Sequence, residues 1–174
     1  MTTQKNISEC IKWAVDNIKG NISEKIIQNA MVYKLRNIGI ECQQEVVLPV
    51  LTDGNVFLGY NRFDIFIPST CKKHITIIEL KLLSNSIKKN FIGSRIQEQC
   101  SGYKECAHRI FGDSVNVKVF LVNTWRTAGK PSPYEHEIIE ARTNTKKIDK
   151  TPKNITRRRP VRGIGKQSKK RKQT

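Results

Sequence analysis

The residues most able to do chemistry stand at the end of one apolar run. Residues 75–81 read ITIIELK, a β-like segment that finishes with Glu79, one apolar residue and Lys81. Alternate residues of a strand share one face of its sheet, so both charged side chains are expected to point into the same site. Burying a carboxylate or an ammonium group is costly unless the group is paired or binds a metal. The segment therefore indicates a site for charged chemistry.

A second acidic residue, Asp64, stands fifteen residues upstream in the β-like run FDIFI. The polar loop between the two runs begins with Pro68, as expected for a hairpin connection between antiparallel strands. Neighbouring strands would let both carboxylates share Mg²⁺ (or Mn²⁺), with the carbonyl of Leu80 as a third oxygen ligand. This arrangement suits phosphodiester hydrolysis, in which Lys81 positions or deprotonates the attacking water or stabilises charge on the phosphate. Taken alone, each acid is also compatible with a solvated strand end.

Basic charge is concentrated at the carboxyl end of the chain. The segment from Arg142 to Thr174 contains fourteen Lys and Arg residues and a single acidic residue, Asp149. It therefore carries +13 of the formal net charge of +17. Because it has few apolar residues to offset its ordering entropy, we expect a disordered tail at 142–174 and one α/β domain at 1–141. Such a tail favours nucleic-acid binding through counterion release, and a localisation signal is the alternative. The tail has no aromatic residues, so we expect no base stacking from it.

Cysteine usage and the lack of long apolar runs restrict the class of protein. The five cysteines include no CxxC pair and no Cys/His spacing typical of zinc sites. The first residues, MTTQKNIS, do not resemble a secretory signal. We therefore expect free thiols in an intracellular compartment, the cytoplasm or nucleus, or in a virion if a virus encodes the protein. No apolar run approaches the ~20 residues that cross a bilayer, so no membrane partner is expected. The sequence leaves the oligomeric state open.

Hydrophobic periodicity supplies the elements that must position these residues. Helices are predicted at residues 7–18, 23–39 and 94–110, and strands at 42–50, 56–67, 75–81 and 115–122. Pro49 indicates an edge strand or a bulge, and Gly59 a break in the second strand. The order predicts an α/β fold with an αβββαβ core, in which helices flank a mixed central sheet.

This order and these residues resemble the PD-(D/E)xK nuclease superfamily, known from restriction endonucleases, and within it the small proteins of the GxxExxY family. The resemblance covers roughly residues 22–123. The family's helical glutamate is matched by Glu24, its strand aspartate by Asp64, and its E-x-K motif by Glu79 and Lys81.

The resemblance continues into the next helix, where Gln99 precedes Tyr103 by four residues, and into the strand VFLVN. It implies that Glu24 binds a second metal or holds a water on the metal, and that Gln99 orients the phosphate or Lys81. Two features depart from the family pattern. The glycine and tyrosine that name the family are out of register, and no proline precedes Asp64.

Together these features predict a Mg²⁺-dependent nuclease that acts on DNA in preference to RNA. Its substrate would be contacted through the basic tail and the active-site cleft. Its catalytic residues would be Asp64, Glu79, Lys81, Glu24 and Gln99. The alternative is a non-catalytic nucleic-acid-binding or packaging protein that retains the fold, and a third hypothesis is a recombination factor encoded by a transposon or virus. The intact E-x-K motif favours the enzyme, whereas the tail suits either.

Overall fold

The computed structural model of the protein describes residues 4–69, 73–84, 86, 93–127 and 134–141. All of them lie in one compact unit, Met1–Asn144. The described residues form three helices and five strands: α1 (Gln4–Asn17), α2 (Glu24–Asn37), β1 (Gln43–Leu51), β2 (Phe57–Pro68), β3 (His74–Leu82), α3 (Gly93–Phe111), β4 (Asn116–Arg126) and β5 (Tyr134–Glu140). The tail at 142–174 lies outside the described residues, so its disorder stays a prediction.

The five strands form one sheet in the order β1-β2-β3-β4-β5. β3 and β4 are parallel, and the other neighbouring pairs are antiparallel. Helices α1 and α2 pack on one face of the sheet in what we call the α1–α2 cluster. Helix α3 packs on the other face in the α3 cluster. The predicted α/β fold, with a mixed central sheet flanked by helices, is therefore confirmed.

Local sequence signals account for the helices. In α1 the buried residues recur at helical spacing and give the helix one apolar face, which comprises Ile7, Cys10, Ile11, Ala14 and Val15. The Ser23 hydroxyl caps α2 by accepting a hydrogen bond from the Ile26 N–H at 3.2 Å. After α2, Gly39 adopts a φ of +77°, which glycine tolerates without steric cost.

Strand β3 is the central element and is buried on both faces. Ile75 and Ile77 belong to the α3 cluster, whereas Ile78 and Leu80 belong to the α1–α2 cluster. A strand covered on both sides reads as a nearly continuous apolar run, which is why ITIIELK lacks alternation. Glu79 therefore interrupts the apolar interior at its centre.

The carboxyl-terminal part of the sheet differs from the sequence prediction. Strand β4 continues to Arg126 instead of ending at residue 122, and β5 was not predicted. Its sequence, YEHEIIE, is rich in glutamate, and such a composition is tolerated because β5 is an edge strand of the sheet. Strand β2 continues through Gly59, but its register with β1 shifts there, between Val50 and Leu51. Pro49 lies in β1, the other edge strand, as its chemistry suggested.

Four cysteines are free and buried: Cys10, Cys42, Cys100 and Cys106. Cys71 lies outside the described residues. Among the helices of the described residues, none is long and apolar enough to cross a membrane.

Candidate active site

The site forms where β2 separates from β3. The two strands pair from Pro68 opposite Ile75 to Ile65 opposite Ile78, and the ladder stops there. Asp64 is the next residue of β2, and its Oδ2 accepts a hydrogen bond from the Leu80 N–H at 2.7 Å. A side-chain carboxylate thus satisfies a β3 donor that strand pairing leaves open.

A second carboxylate repeats this arrangement two residues further along β3. Glu24 is the first residue of α2, and its Oε1 accepts a hydrogen bond from the Leu82 N–H at 2.9 Å. The structure therefore brings Glu24 and Asp64 to successive donors on the same side of β3. In both cases one carboxylate oxygen is bound by the backbone and the other remains for further contacts.

Asp64 is also held from the helical layer. The buried side chain of Gln28, on α2, donates a hydrogen bond from Nε2 to the Asp64 carbonyl at 2.5 Å. On the neighbouring strand, Glu45 has a φ of +53° and forms ion pairs with Lys25 at 2.9 Å and Arg62 at 3.1 Å. The hydrogen bond from Lys25 lowers the pKa of Glu45. Glu45 and Arg62 therefore pair with each other beside the site.

Glu79 lies on the α3 side of the sheet and is only 3% exposed. Its Oε1 accepts hydrogen bonds from Lys81 Nζ at 2.5 Å and from Gln99 Nε2 at 3.1 Å. Its Oε2 is buried and has no hydrogen-bond partner among the described residues. One oxygen of this carboxylate is thus held by two donors. The Tyr103 hydroxyl also interacts with the Glu79 carboxylate, and this hydrogen bond lowers the pKa of Glu79 in opposition to burial.

Helix α3 positions Gln99 through an aromatic neighbour. Gln99 also donates a hydrogen bond to the Tyr103 hydroxyl, one helical turn later. The Tyr103 ring packs edge-on against Phe63 of β2 at 4.8 Å between ring centroids. Gln99 therefore contacts the Glu79 carboxylate, and its expected role in orienting the phosphate or Lys81 stays a prediction.

The electrostatics of the site leave negative charge poorly compensated. Burial raises the pKa of both Asp64 and Glu79, and the nearby charge of Asp64 adds to the rise at Glu79. For Lys81, burial favours the neutral amine, but the hydrogen bond and charge of Glu79 outweigh it and raise its pKa. Nearby positive charge would favour the ionised carboxylates of such a site.

Two residues that sequence reasoning did not assign to the site lie in register with Lys81. Asn123 of β4 is opposite Lys81, and Glu137 of β5 is opposite Asn123. Asn123 donates to Glu137 Oε1 at 3.2 Å and accepts from the Leu83 N–H at 3.2 Å. This pair anchors the chain just after β3. The only sequence signal that could have indicated Glu137 is the weak alternation of polar and apolar residues in YEHEIIE, which is typical of a strand.

The donor chemistry fits a hard divalent cation. Such ions take carboxylate and carbonyl oxygens, which Asp64, Glu79 and the Leu80 carbonyl supply, and the unpartnered Glu79 Oε2 is the observation that favours this use. Within the described ranges, no group of three or more His, Cys, Asp or Glu side chains is arranged to hold a metal. A cation here would therefore depend on two carboxylates together with backbone or water oxygens.

Comparison with known proteins gives one match to a family. The model of the PD-(D/E)XK nuclease superfamily matches residues 2–123. No curated protein matches the chain. Among solved structures, a candidate exonuclease of Eubacterium rectale is 14% identical with a TM-score of 0.46, and the match covers 81% of this chain and 52% of that one. The chain thus spans about half the length of that protein.

Proposed function

This chain belongs to the PD-(D/E)XK nuclease superfamily, and we propose that it is a metal-dependent nuclease that hydrolyses phosphodiester bonds in DNA. The observation that carries the proposal is the buried Glu79 carboxylate, with one oxygen held by Lys81 and Gln99 and the other without a hydrogen-bond partner in the described part of the chain. A purely structural carboxylate at 3% exposure would be expected to use both oxygens.

Asp64 and Glu79 would hold Mg²⁺, with Mn²⁺ as the alternative, and the Leu80 carbonyl would add a third oxygen. When bound, such a cation polarises the scissile phosphate and lowers the pKa of the attacking water. Lys81 has three N–H donors, one of which is given to Glu79, so the others are available to a phosphate oxygen. Gln99 would keep the Glu79 carboxylate in the orientation that exposes Oε2 to the cation.

Glu24 would use its second oxygen to hold a water at the metal, since its first oxygen binds the Leu82 N–H. We also propose that the chain lies near the GxxExxY family, because Glu24 and the E-x-K motif match that family's pattern. We further propose that the basic segment 142–174 holds the protein on nucleic acid, because it carries +13 of the formal charge.

The test is incubation of the purified full-length protein with plasmid DNA, single-stranded DNA and RNA, in Mg²⁺, Mn²⁺ or EDTA. We expect DNA cleavage with either metal and none in EDTA. Glu79→Gln and Lys81→Ala should each lower the cleavage rate by about 100-fold or more, because the first weakens a ligand to the cation and the second removes a charge that contacts the reacting phosphate. Binding to DNA should remain nearly unchanged, since most basic groups lie elsewhere.

Matched controls are Glu9→Gln and Lys5→Ala, which break an exposed i,i+4 ion pair on α1. These variants should cleave at the wild-type rate. Cleavage at the wild-type rate in Glu79→Gln or Lys81→Ala would assign the activity to a contaminant or to another site. Metal-independent DNA binding without cleavage would favour the non-catalytic binding protein.

A further inference from the structure

A cavity of about 500 Å³ lies beside the end of β3. Its apolar walls are Ile22, Leu82 and Leu83, and its polar lining includes Ser84, Arg126 and Tyr134. This volume lies within the roughly 300–1,000 Å³ typical of sites for small molecules and cofactors. The mixture of apolar walls and a few polar groups is also typical of such sites.

The cavity occupies the end of the sheet where open α/β sheets bind ligands. Leu82 and Arg126 are the last residues of the parallel strands β3 and β4, and ligands collect outside the carboxyl ends of such strands. Tyr134 begins β5 and pairs with Arg126 across the ladder. Three of the residues that line the cavity, Leu82, Arg126 and Tyr134, are therefore presented by strands.

The cavity shares a residue with the candidate active site. Leu82 follows Lys81 directly, and its N–H donates to Glu24 Oε1. Leu82 packs against the α1–α2 cluster, whereas Leu83 packs against the α3 cluster. The cavity thus extends around the end of β3, from the helical layer that holds Glu24 towards the face that holds Lys81.

The polar groups of the cavity suit a nucleotide. Arg126 is exposed and lines the cavity, and among the described residues it takes part in no ion pair. A guanidinium group in this position can bind a phosphate in a bidentate manner. The Tyr134 hydroxyl donates to the Gly20 carbonyl at 3.3 Å, which fixes the ring in place. An aromatic ring held in this way can stack on any of the bases, because every base has a flat π-face.

We propose that this cavity binds one nucleotide of the substrate strand, adjacent to the phosphate that is cut, with Arg126 on its phosphate and Tyr134 against its base. The adjacency to cleavage rests on the proposed nuclease function. Binding of a nucleotide in the cavity does not depend on that function, since a protein can bind a nucleotide without hydrolysing it.

The experiment titrates full-length protein in EDTA with thymidine 5′-monophosphate, thymidine or inorganic phosphate, and follows backbone amide shifts by NMR. Physiological ionic strength weakens contacts with the basic tail. The variant is Arg126→Gln, and the matched control is Arg109→Gln on α3, whose guanidinium group is ion-paired with Asp53 at 2.7 Å. We expect the monophosphate to shift the amides of Leu82, Ser84 and Tyr134, and to bind more tightly than thymidine or phosphate.

Arg126→Gln should weaken monophosphate binding by about tenfold or more, as expected for loss of a charge-assisted hydrogen bond, whereas Arg109→Gln should not. Equal affinities in the two variants, or shifts confined to other residues, would overturn the proposal. Inorganic phosphate that binds as tightly as the monophosphate would also overturn it, because the base would then contribute nothing. Failure of DNA cleavage in Mg²⁺ and Mn²⁺, with monophosphate binding intact, would refute only the nuclease function.

Discussion

The Asp64 carboxylate accepts a hydrogen bond from the Leu80 N–H at 2.7 Å, at the point where β2 stops pairing with β3. Glu24 does the same for Leu82. The separation of two strands creates unpaired donors, and carboxylates satisfy them. The same break in the sheet therefore explains both why acidic side chains gather here and why they are rigidly oriented.

Replacement of Asp64 should separate its structural role from metal binding. In Asp64→Asn the amide oxygen can still accept from Leu80, so the metal-free protein should melt at or above the wild-type temperature, because one poorly compensated charge is gone. Asp64→Ala should cost about 1–3 kcal/mol, since a backbone donor loses its partner. Thermal melts in EDTA and in Mg²⁺ measure both effects.

Mg²⁺ should raise the melting temperature of the wild-type protein and leave that of Asp64→Asn unchanged. Asp16→Asn, which affects an exposed ion pair with Lys12, should retain the metal-induced rise. An equal Mg²⁺ shift in Asp64→Asn and the wild type would contradict the assignment of Asp64 as a ligand.

Loss of the Gln99 amide should lower catalysis without unfolding α3. Gln99→Ala frees Glu79 Oε1 from one of its two donors, so we expect about a tenfold fall in kcat with little change in KM. Tyr103→Phe keeps the packing against Phe63 and removes the hydroxyl that contacts Gln99 and Glu79. Its kcat should also fall, but by less, because Gln99 still donates to Glu79. Steady-state kinetics with a defined DNA substrate measures both. A Gln99→Ala variant with wild-type kcat would show that Gln99 does not position Glu79.

Deletion of residues 142–174 should weaken nucleic-acid binding and flatten its salt dependence while the domain stays folded. The deleted segment carries +13 of the +17 formal charge, and log affinity for duplex DNA falls by about 0.9 per neutralised phosphate for each decade of salt. Binding at several salt concentrations and thermal melts of both proteins provide the measurement. Equal salt slopes would leave the segment with a localisation role, and a large fall in melting temperature would show that it packs on the domain.

Mild acid should destabilise the protein through His136 of β5. Burial lowers the pKa of this imidazole below its usual 6.5, and the charge of Lys12 adds to the effect. The unfolded chain binds the proton more readily than the folded protein does. The contribution of neutral His136 to the free energy of unfolding is therefore fully present above pH 6.5 and decreases as the pH is lowered from 6.5. It is lost once the pH is below the pKa of the folded state. The melting temperature of His136→Gln should therefore depend less on pH in this range than that of the wild-type protein. A wild-type pH slope in that variant would exclude His136 as the cause.

Part of this architecture could be predicted from local sequence because its signals are local. The continuous apolar run of β3 marked the central strand, and the spacing of Asp64 and Glu79 correctly indicated neighbouring strands. The extra strand β5 could not be predicted, since its glutamates look solvated until β4 is there to pair with them. Of the two donors to Glu79, Lys81 was indicated by the spacing of the E-x-K motif. The contact with Gln99 was hidden, because it spans twenty residues of chain.

The reactivity of the four buried thiols can be used to measure local opening of the domain. Burial raises the pKa of Cys10 to about 11 and that of Cys100 to about 12, and only the thiolate reacts readily with alkylating reagents. Cys10 and Cys42 lie in the α1–α2 cluster, whereas Cys100 and Cys106 lie in the α3 cluster. The alkylation rate of each pair, read by peptide mass spectrometry, therefore measures how often one helical layer lifts from the sheet independently of the other.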